Sequence, residues 1–180
     1  NTIRGPITVI GLLTNHGTMV ASGGVMDLRR SGGSESPDPV DLTNTGYLAA
    51  DSGGVLILGW GLFSGKLNNT TGTIEALDGG TVQLGITVEG GILRSVGTGK
   101  IIVPHGFGSM AGIKDLTLEG QLTLGSTSGT GGNPTLTVSS SIVNLGTIEV
   151  VAPAAGSATL SIVGSATLSG GGTVILASAG

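Results

Sequence analysis

The sequence predicts an all-β fold: a three-sided parallel β-helix, or β-solenoid, of about seven coils, uncapped at both ends. Three observations predict it. One phrase recurs along the chain, its apolar residues fall into columns, and the composition suits a narrow coil with many corners.

The phrase is a glycine, a short alternating strand, a glycine corner and a second short strand. Its fullest copy is Gly72-Thr-Ile-Glu-Ala-Leu-Asp-Gly-Gly-Thr-Val-Gln-Leu84. Lead glycines stand at Gly17, Gly46, Gly72, Gly99, Gly120, Gly146 and Gly172, at steps of 29, 26, 27, 21, 26 and 26 residues. A period in this range marks stacked structural repeats. Two residues after the lead glycines come Met19, Leu48, Ile74, Ile101, Leu122, Ile148 and Val174; four after come Ala21, Ala50, Ala76, Val103, Leu124, Val150 and Leu176. The position one after the lead glycine is nearly all polar, and the position three after is mixed, with Glu75 and Glu149 among Val20, Ala49, Ile102, Thr123 and Ile175; this is the alternation of a strand with one face inward. A second column follows the corner glycines, with Met26, Leu56, Val82, Leu136 and Leu160, then Leu28, Leu58, Leu84, Val138 and Ile162 two residues on. A third holds Leu13, Leu42, Leu116, Ile142 and Leu168; it fails at Asn68 and Ser95, where Leu67 and Leu93 take over through a bulge. Glycine is 36 of 180 residues and aromatics are 2%. Glycine tolerates the left-handed backbone of tight corners, and a narrow interior favours aliphatic side chains over rings.

In chain order, residues 1–16 read as the last side of a coil, with Ile7-Thr-Val-Ile10 as a strand. The corners Asn15-His16-Gly17, Asn44-Thr45-Gly46 and Asn144-Leu145-Gly146 share an asparagine. It serves either to hydrogen-bond along the stack or simply to shape a turn. Residues 30–41 form a polar, Pro-broken loop; residues 104–114 form a second insertion, and Gly125 to Pro134 a Gly/Ser/Thr turn. Gly172 to Gly180 supplies the first side of a final coil, so 1–180 is a single solenoid domain with incomplete coils at 1–16 and 172–180. The start at Asn1 suits a processed or excised chain.

Composition narrows function. The net charge is −4, and no basic cluster exceeds Arg29-Arg30, against nucleic-acid binding. The apolar run Val55 to Phe63 is broken by Gly59 and Gly61 and is too short to enter and cross a bilayer. With no cysteine there is no disulfide and no thiolate metal site. Glu35, Asp38 and Asp41 match no calcium spacing and read as a solvated loop, and His16 and His105 read as surface turns. Catalysis on a β-helix needs clustered acids and a base; here Arg4, Lys66, Arg94, Lys100 and Lys114 fall on different coils, and Glu75 and Glu149 share an outward column three coils apart. The expectation is therefore no enzyme, no catalytic residues, no cofactor and no metal. Trp60 and Phe63 are the unusual pair: they either fold over an open corner of the helix or, with Glu35 and Asp38, form a candidate contact for lateral packing between chains or for a ligand such as a sugar, with packing between chains favoured. A threonine-rich outward column is broken by Tyr47, Lys100 and Gln121, against a flat ice-binding face.

The segments Asn69-Thr-Thr-Gly-Thr-Ile-Glu-Ala-Leu-Asp-Gly-Gly-Thr-Val-Gln-Leu84 and Asn144-Leu-Gly-Thr-Ile-Glu149 resemble the repeats of long bacterial extracellular β-helical exoproteins. These are the autotransporter passengers and filamentous-haemagglutinin-like adhesins. The resemblance implies an extracellular or cell-surface location.

No cap is legible at either end, and the two incomplete coils together approach one repeat. The expectation is a structural protein whose open ends stack head to tail into a cell-surface fibre. The assembly interface is Ile7, Val9 and Leu13 at one end and Val174 and Leu176 at the other. Its partners are copies of itself or adjoining repeats of a longer chain. The alternative is the stalk or binding segment of a larger adhesin that meets a glycan or host surface; a polysaccharide lyase or glycosidase ranks below both.

Overall fold

Successive turns of this chain lie one on another in parallel register. In the computed structural model, which describes residues 1–29, 40–59, 65–105, 110–125, 132–153 and 156–178, the chain is a parallel β-solenoid, with no helix among the described residues. The strands run β1 (Thr2–Arg4), β2 (Ile7–Ile10), β3 (Leu13–Asn15), β4 (Thr18–Ser22), β5 (Val25–Arg29), β6 (Val40–Asn44) and β7 (Tyr47–Asp51). Next come β8 (Val55–Leu58), β9 (Lys66–Asn68), β10 (Thr73–Ala76), β11 (Thr81–Leu84), β12 (Thr87–Glu89), β13 (Ile92–Ser95) and β14 (Lys100–Val103). The last are β15 (Met110–Glu119), β16 (Gln121–Gly125), β17 (Thr135–Asn144), β18 (Thr147–Ala152), β19 (Thr159–Ser169) and β20 (Thr173–Ser178). Through β14 the partner of each strand is the one three places later.

The ladders gather into two sheets. One is eight-stranded, ordered β2-β5-β8-β11-β14-β16-β18-β20; the other has twelve strands. The larger sheet turns at β15, whose first half pairs with β12 and whose second half pairs with β13. Strands β17 and β19 continue both halves. The turn is made by stacked left-handed residues, Asp115 (φ 50°), Ser140 (φ 60°) and Gly164 (φ 67°). Aspartate and serine tolerate this backbone less well than glycine, and here their side chains bond each other: Ser140 Oγ donates to Asp115 Oδ1 at 2.6 Å.

Inside, aliphatic residues stack on aliphatic residues. Met26, Leu56, Val82, Ile101, Leu122 and Ile148 form one inward column of the eight-stranded sheet, and all are buried. Each such side chain contributes roughly 1.5–3 kcal/mol on leaving water.

The repeat is real, but the seven lead glycines are not one column. Gly17, Gly46 and Gly72 lead β4, β7 and β10 of the larger sheet; Gly99, Gly120, Gly146 and Gly172 lead β14, β16, β18 and β20 of the smaller one. Met19, Leu48 and Ile74 continue instead into Leu93 and Leu118. The cause is length. Residues 30–39 and 60–64 lengthen the early steps, each of which spans three strands, whereas 72 to 99 packs four strands into a similar span. Equal spacing thus hid a slip of one side. Two other columns mixed sides for the same reason. Leu136, Val138, Leu160 and Ile162 extend the Ala111 and Ile113 ladder of the larger sheet, and Leu116, Ile142 and Leu168 stack apart from Leu13 and Leu42. The bulge that brings Leu67 into register with Leu42 is present. Residues 1–16 form three strands rather than one side, and β15 begins at Met110, inside the expected 104–114 insertion.

The asparagine corners divide likewise. Asn15 Nδ2 donates to Asn44 Oδ1, and Asn44 Nδ2 donates to Asn69 Oδ1, both at 2.7 Å. Asn69 Nδ2 ends the run on the Gly72 and Gly90 carbonyls. All three side chains are buried. A buried amide left without a partner costs about 1–3 kcal/mol, so each rung depends on the next. Asn144 lies at a different corner; its Oδ1 accepts from Gly146 N–H and its Nδ2 donates to Thr173 O.

Corner glycines meet two separate demands. Gly54, Gly80 and Gly99 pass so close to the Ala21, Ala50 and Ala76 carbonyl oxygens that a β-carbon would overlap them. Gly23 has open space around it but a φ of 62°. Substitution to alanine separates the two. Gly23→Ala is expected to cost roughly 1–2 kcal/mol, the left-handed penalty alone. Gly80→Ala is expected to cost more and to disturb the backbone, because overpacking against a carbonyl has no side chain to yield. Denaturant melts of the two variants check this.

Candidate functional site

The ends of the ladders are where the interior meets solvent. At the N-terminal end β1, β2 and β3 each pair on one side only, with β4, β5 and β6. At the other end, among the described residues, β20 pairs only with β18, and β19 only with β17. An unpaired edge strand leaves a row of backbone N–H and C=O groups facing outward. The five residues expected at the interface lie on these strands: Ile7 and Val9 on β2, Leu13 on β3, and Val174 and Leu176 on β20. They extend inward columns that are fully covered in mid-solenoid. Leu124 and Leu176 occupy the same column, yet Leu124 is 0% exposed and Leu176 77%. Ile3, Ile162 and Leu168 are exposed at the same ends and belong to the same surfaces. Ile162 and Leu168 stack on Val138 and Ile142 rather than in the columns that the glycine spacing predicts, and the alternation within Thr159–Ser169 is the sequence signal for their exposure at this end.

The two ends differ in charge. No ionisable side chain follows Glu149 in the sequence. The N-terminal end carries Arg4, whose Nη2 lies 2.6 Å from Asp51 Oδ2 on β7, two strands into the ladder.

Away from the ends, the outer face of the larger sheet holds a network that the repeat pattern did not announce. Tyr47 Oη donates to Glu75 Oε2, and Arg94 Nε donates to Glu75 Oε1 at 2.7 Å. Arg94 Nη1 lies 3.5 Å from Glu119 Oε2. Glu75 is buried, and it faces Arg94 because β10 and β13 pair in that register. Glu75 and Glu149 share no column, since β10 and β18 belong to different sheets. Lys114 Nζ lies 2.5 Å from Glu89 Oε1. Asp115 is held below the usual carboxylate range by the Ser140 hydroxyl and then by the Ser141 N–H.

His16 is exposed, with Nδ1 at 2.6 Å from Thr45 Oγ1; His105 Nδ1 lies 3.4 Å from Gly132 O. No cluster of three or more metal-ligating side chains occurs among the described residues. Trp60, Phe63, Glu35 and Asp38 lie outside the described residues.

Burial first, then the Glu75 carboxylate, pushes the Tyr47 phenol well above its ordinary value of 10. The folded chain therefore holds this proton more tightly than the unfolded one. The associated stability is intact below pH 10 and is lost as pH climbs toward the raised folded value. Tyr47 is the only tyrosine, so the phenolate absorbance reports it alone. An alkaline titration is expected to show ionisation delayed past its ordinary range, and Glu75→Gln to bring it back down.

No family model, no curated protein and no solved structure matches this chain.

Proposed function

We propose that this protein is a structural, non-enzymatic element of an extracellular or cell-surface fibre, built by head-to-tail stacking of its open ends. The observation that carries the reading is the pair of unpaired ladder ends whose inward side chains stand in solvent, Ile7 on one and Leu176 on the other. A second copy supplies both missing terms at once, backbone partners and apolar cover. The contact is heterologous and does not close on itself, so it propagates. The lack of charge after Glu149 favours this, because charged side chains are a common device against edge pairing. The resemblance to bacterial exoprotein repeats supports the location.

The cross-section that accompanies this reading is three-sided, with about seven coils. Pairing at every third strand supports it, as do the bends at Asp115, Ser140 and Gly164. Winding then limits the joint. Setting β2 of the next copy on β20 extends both inward columns, Ile7 beside Val174 and Val9 beside Leu176, but skips one strand on the third side. Turning the next copy by one side sets β3 on β20, brings Leu13 to the interface, and leaves no ladder interrupted. The second arrangement satisfies more backbone groups. The earlier length match between the two ends carries no weight, since residues 1–16 already supply three strands.

The same open ladders suit the alternative, a stalk or binding segment within a larger bacterial adhesin, in which further turns of one chain cover them. Electron microscopy of the purified chain separates the two. Long fibres one solenoid wide are expected, with Val174→Asp combined with Leu176→Asp leaving only short particles. Monodisperse monomers at high concentration would overturn the fibre reading.

A further inference from the structure

The outer face of the eight-stranded sheet carries a groove of about 440 Å³ crossing β14, β16 and β18. It is independent of the ladder ends. Its form follows from the sequence. Ile102, Thr123 and Glu149 stand in one outward column, and two residues after Thr123 comes Gly125, where a β-carbon would overlap the Val151 carbonyl oxygen and approach His105. The groove is walled by polar side chains and lined in part by Val151 and Ile102.

The polar groups in it are of both kinds. Glu149 Oε2 accepts from Gln121 Nε2 at 2.7 Å and from Thr123 Oγ1 at 3.4 Å. These bonds fix the carboxylate and leave Oε1 with no partner among the described residues. The Lys100 side chain, in the same groove, makes no ion pair or hydrogen bond among the described residues. An ammonium that donates and a carboxylate that accepts thus flank an amide and a hydroxyl that do both. The pair sums to zero charge, which disfavours a polyanion as much as a polycation. Strands follow at about 4.8 Å, so the groups recur in steps along the solenoid axis.

We infer that this groove binds a short, uncharged oligosaccharide lying across β14, β16 and β18. Gln121 Nε2 directs its hydrogens to Glu149 Oε2 and, at 3.4 Å, to Thr123 Oγ1, so sugar hydroxyls donate to Glu149 Oε1 and to the Gln121 side-chain carbonyl oxygen and accept from Lys100. The C–H faces of the sugar rings rest on Ile102 and Val151. A saccharide suits the site better than a peptide, because the groove offers side-chain donors and acceptors along its length while the backbone of β14, β16 and β18 is already paired within the sheet.

Isothermal titration of the whole chain with tetrasaccharides of glucose, galactose and N-acetylglucosamine tests it, with the matching uronate tetrasaccharide as a charged control. At least one neutral probe is expected to bind. Lys100→Ala and Glu149→Ala are each expected to weaken it by about tenfold or more, the scale of a charge-assisted hydrogen bond. Unchanged melting curves would show that the variants fold. The Lys100 side chain is exposed and makes no hydrogen bond or ion pair among the described residues, so its variant keeps the test sound if Glu149→Ala unfolds. The inference is overturned if no neutral probe binds more tightly than about 1 mM, if the uronate binds best, or if binding survives both substitutions.

Discussion

Parallel backbone pairing between successive turns is the constraint on which everything else here depends. A β-strand must place its N–H and C=O groups somewhere, and buried groups without partners are costly. In this chain the partner of β5 is β8, and the partner of β8 is β11. Register then brings like positions together: Leu28 on Leu58, Thr81 on Val55, Asn15 on Asn44. A core follows at once, because any inward aliphatic residue meets another above and below it. So does the scarcity of rings, since an aromatic residue needs space in two neighbouring turns as well as in its own.

The corners are where that pairing is hardest to keep. Between sides the backbone must turn within a few residues while still meeting the turn beneath it. The chain answers in three ways. Asn15, Asn44 and Asn69 replace backbone bonds with a side-chain ladder. Gly80 and Gly99 let one turn settle on the carbonyl of another. Asp115 and Ser140 hold a left-handed bend through a mutual hydrogen bond, and Gly164 takes the same bend with no side chain at all. The asparagine ladder ends at Gly90 and the left-handed bend starts at Asp115, so one corner changes its chemistry partway along the solenoid.

Much of the fold was legible because period-two alternation needs only the local sequence. The columns from Met26 to Val82 and from Leu28 to Leu84 are found as read. Which side a strand belongs to was less legible, because each side repeats the same glycine-led phrase. Gly99 resembles Gly72 as a letter but matches Gly80 in space; both lie over alanine carbonyls. Only pairing tells them apart, and loops of unequal length erase the difference in the numbering. The interface residues at the ends were legible for a related reason: a column that continues to the last strand must be open there. The Tyr47, Glu75 and Arg94 network was not, since it joins three outward residues from strands 26 and 19 positions apart that share no pattern.

The inside and the outside of such a coil answer to different demands. Inward positions are held to small aliphatic residues by the turns on either side, so substitutions there are felt throughout the stack. Outward positions meet only their column neighbours and solvent. On the larger sheet the outward residues spend this freedom on one another, with Glu75 enclosed by Tyr47 and Arg94. Around Glu149 they do so only in part: Gln121 and Thr123 donate to Oε2, while the Lys100 side chain has no hydrogen bond or ion pair among the described residues. A protein of this shape can therefore place assembly at its ends and recognition along its side. Neither need disturb the other, because the first depends on unfilled ladders and the second on side chains that the ladders merely hold in place.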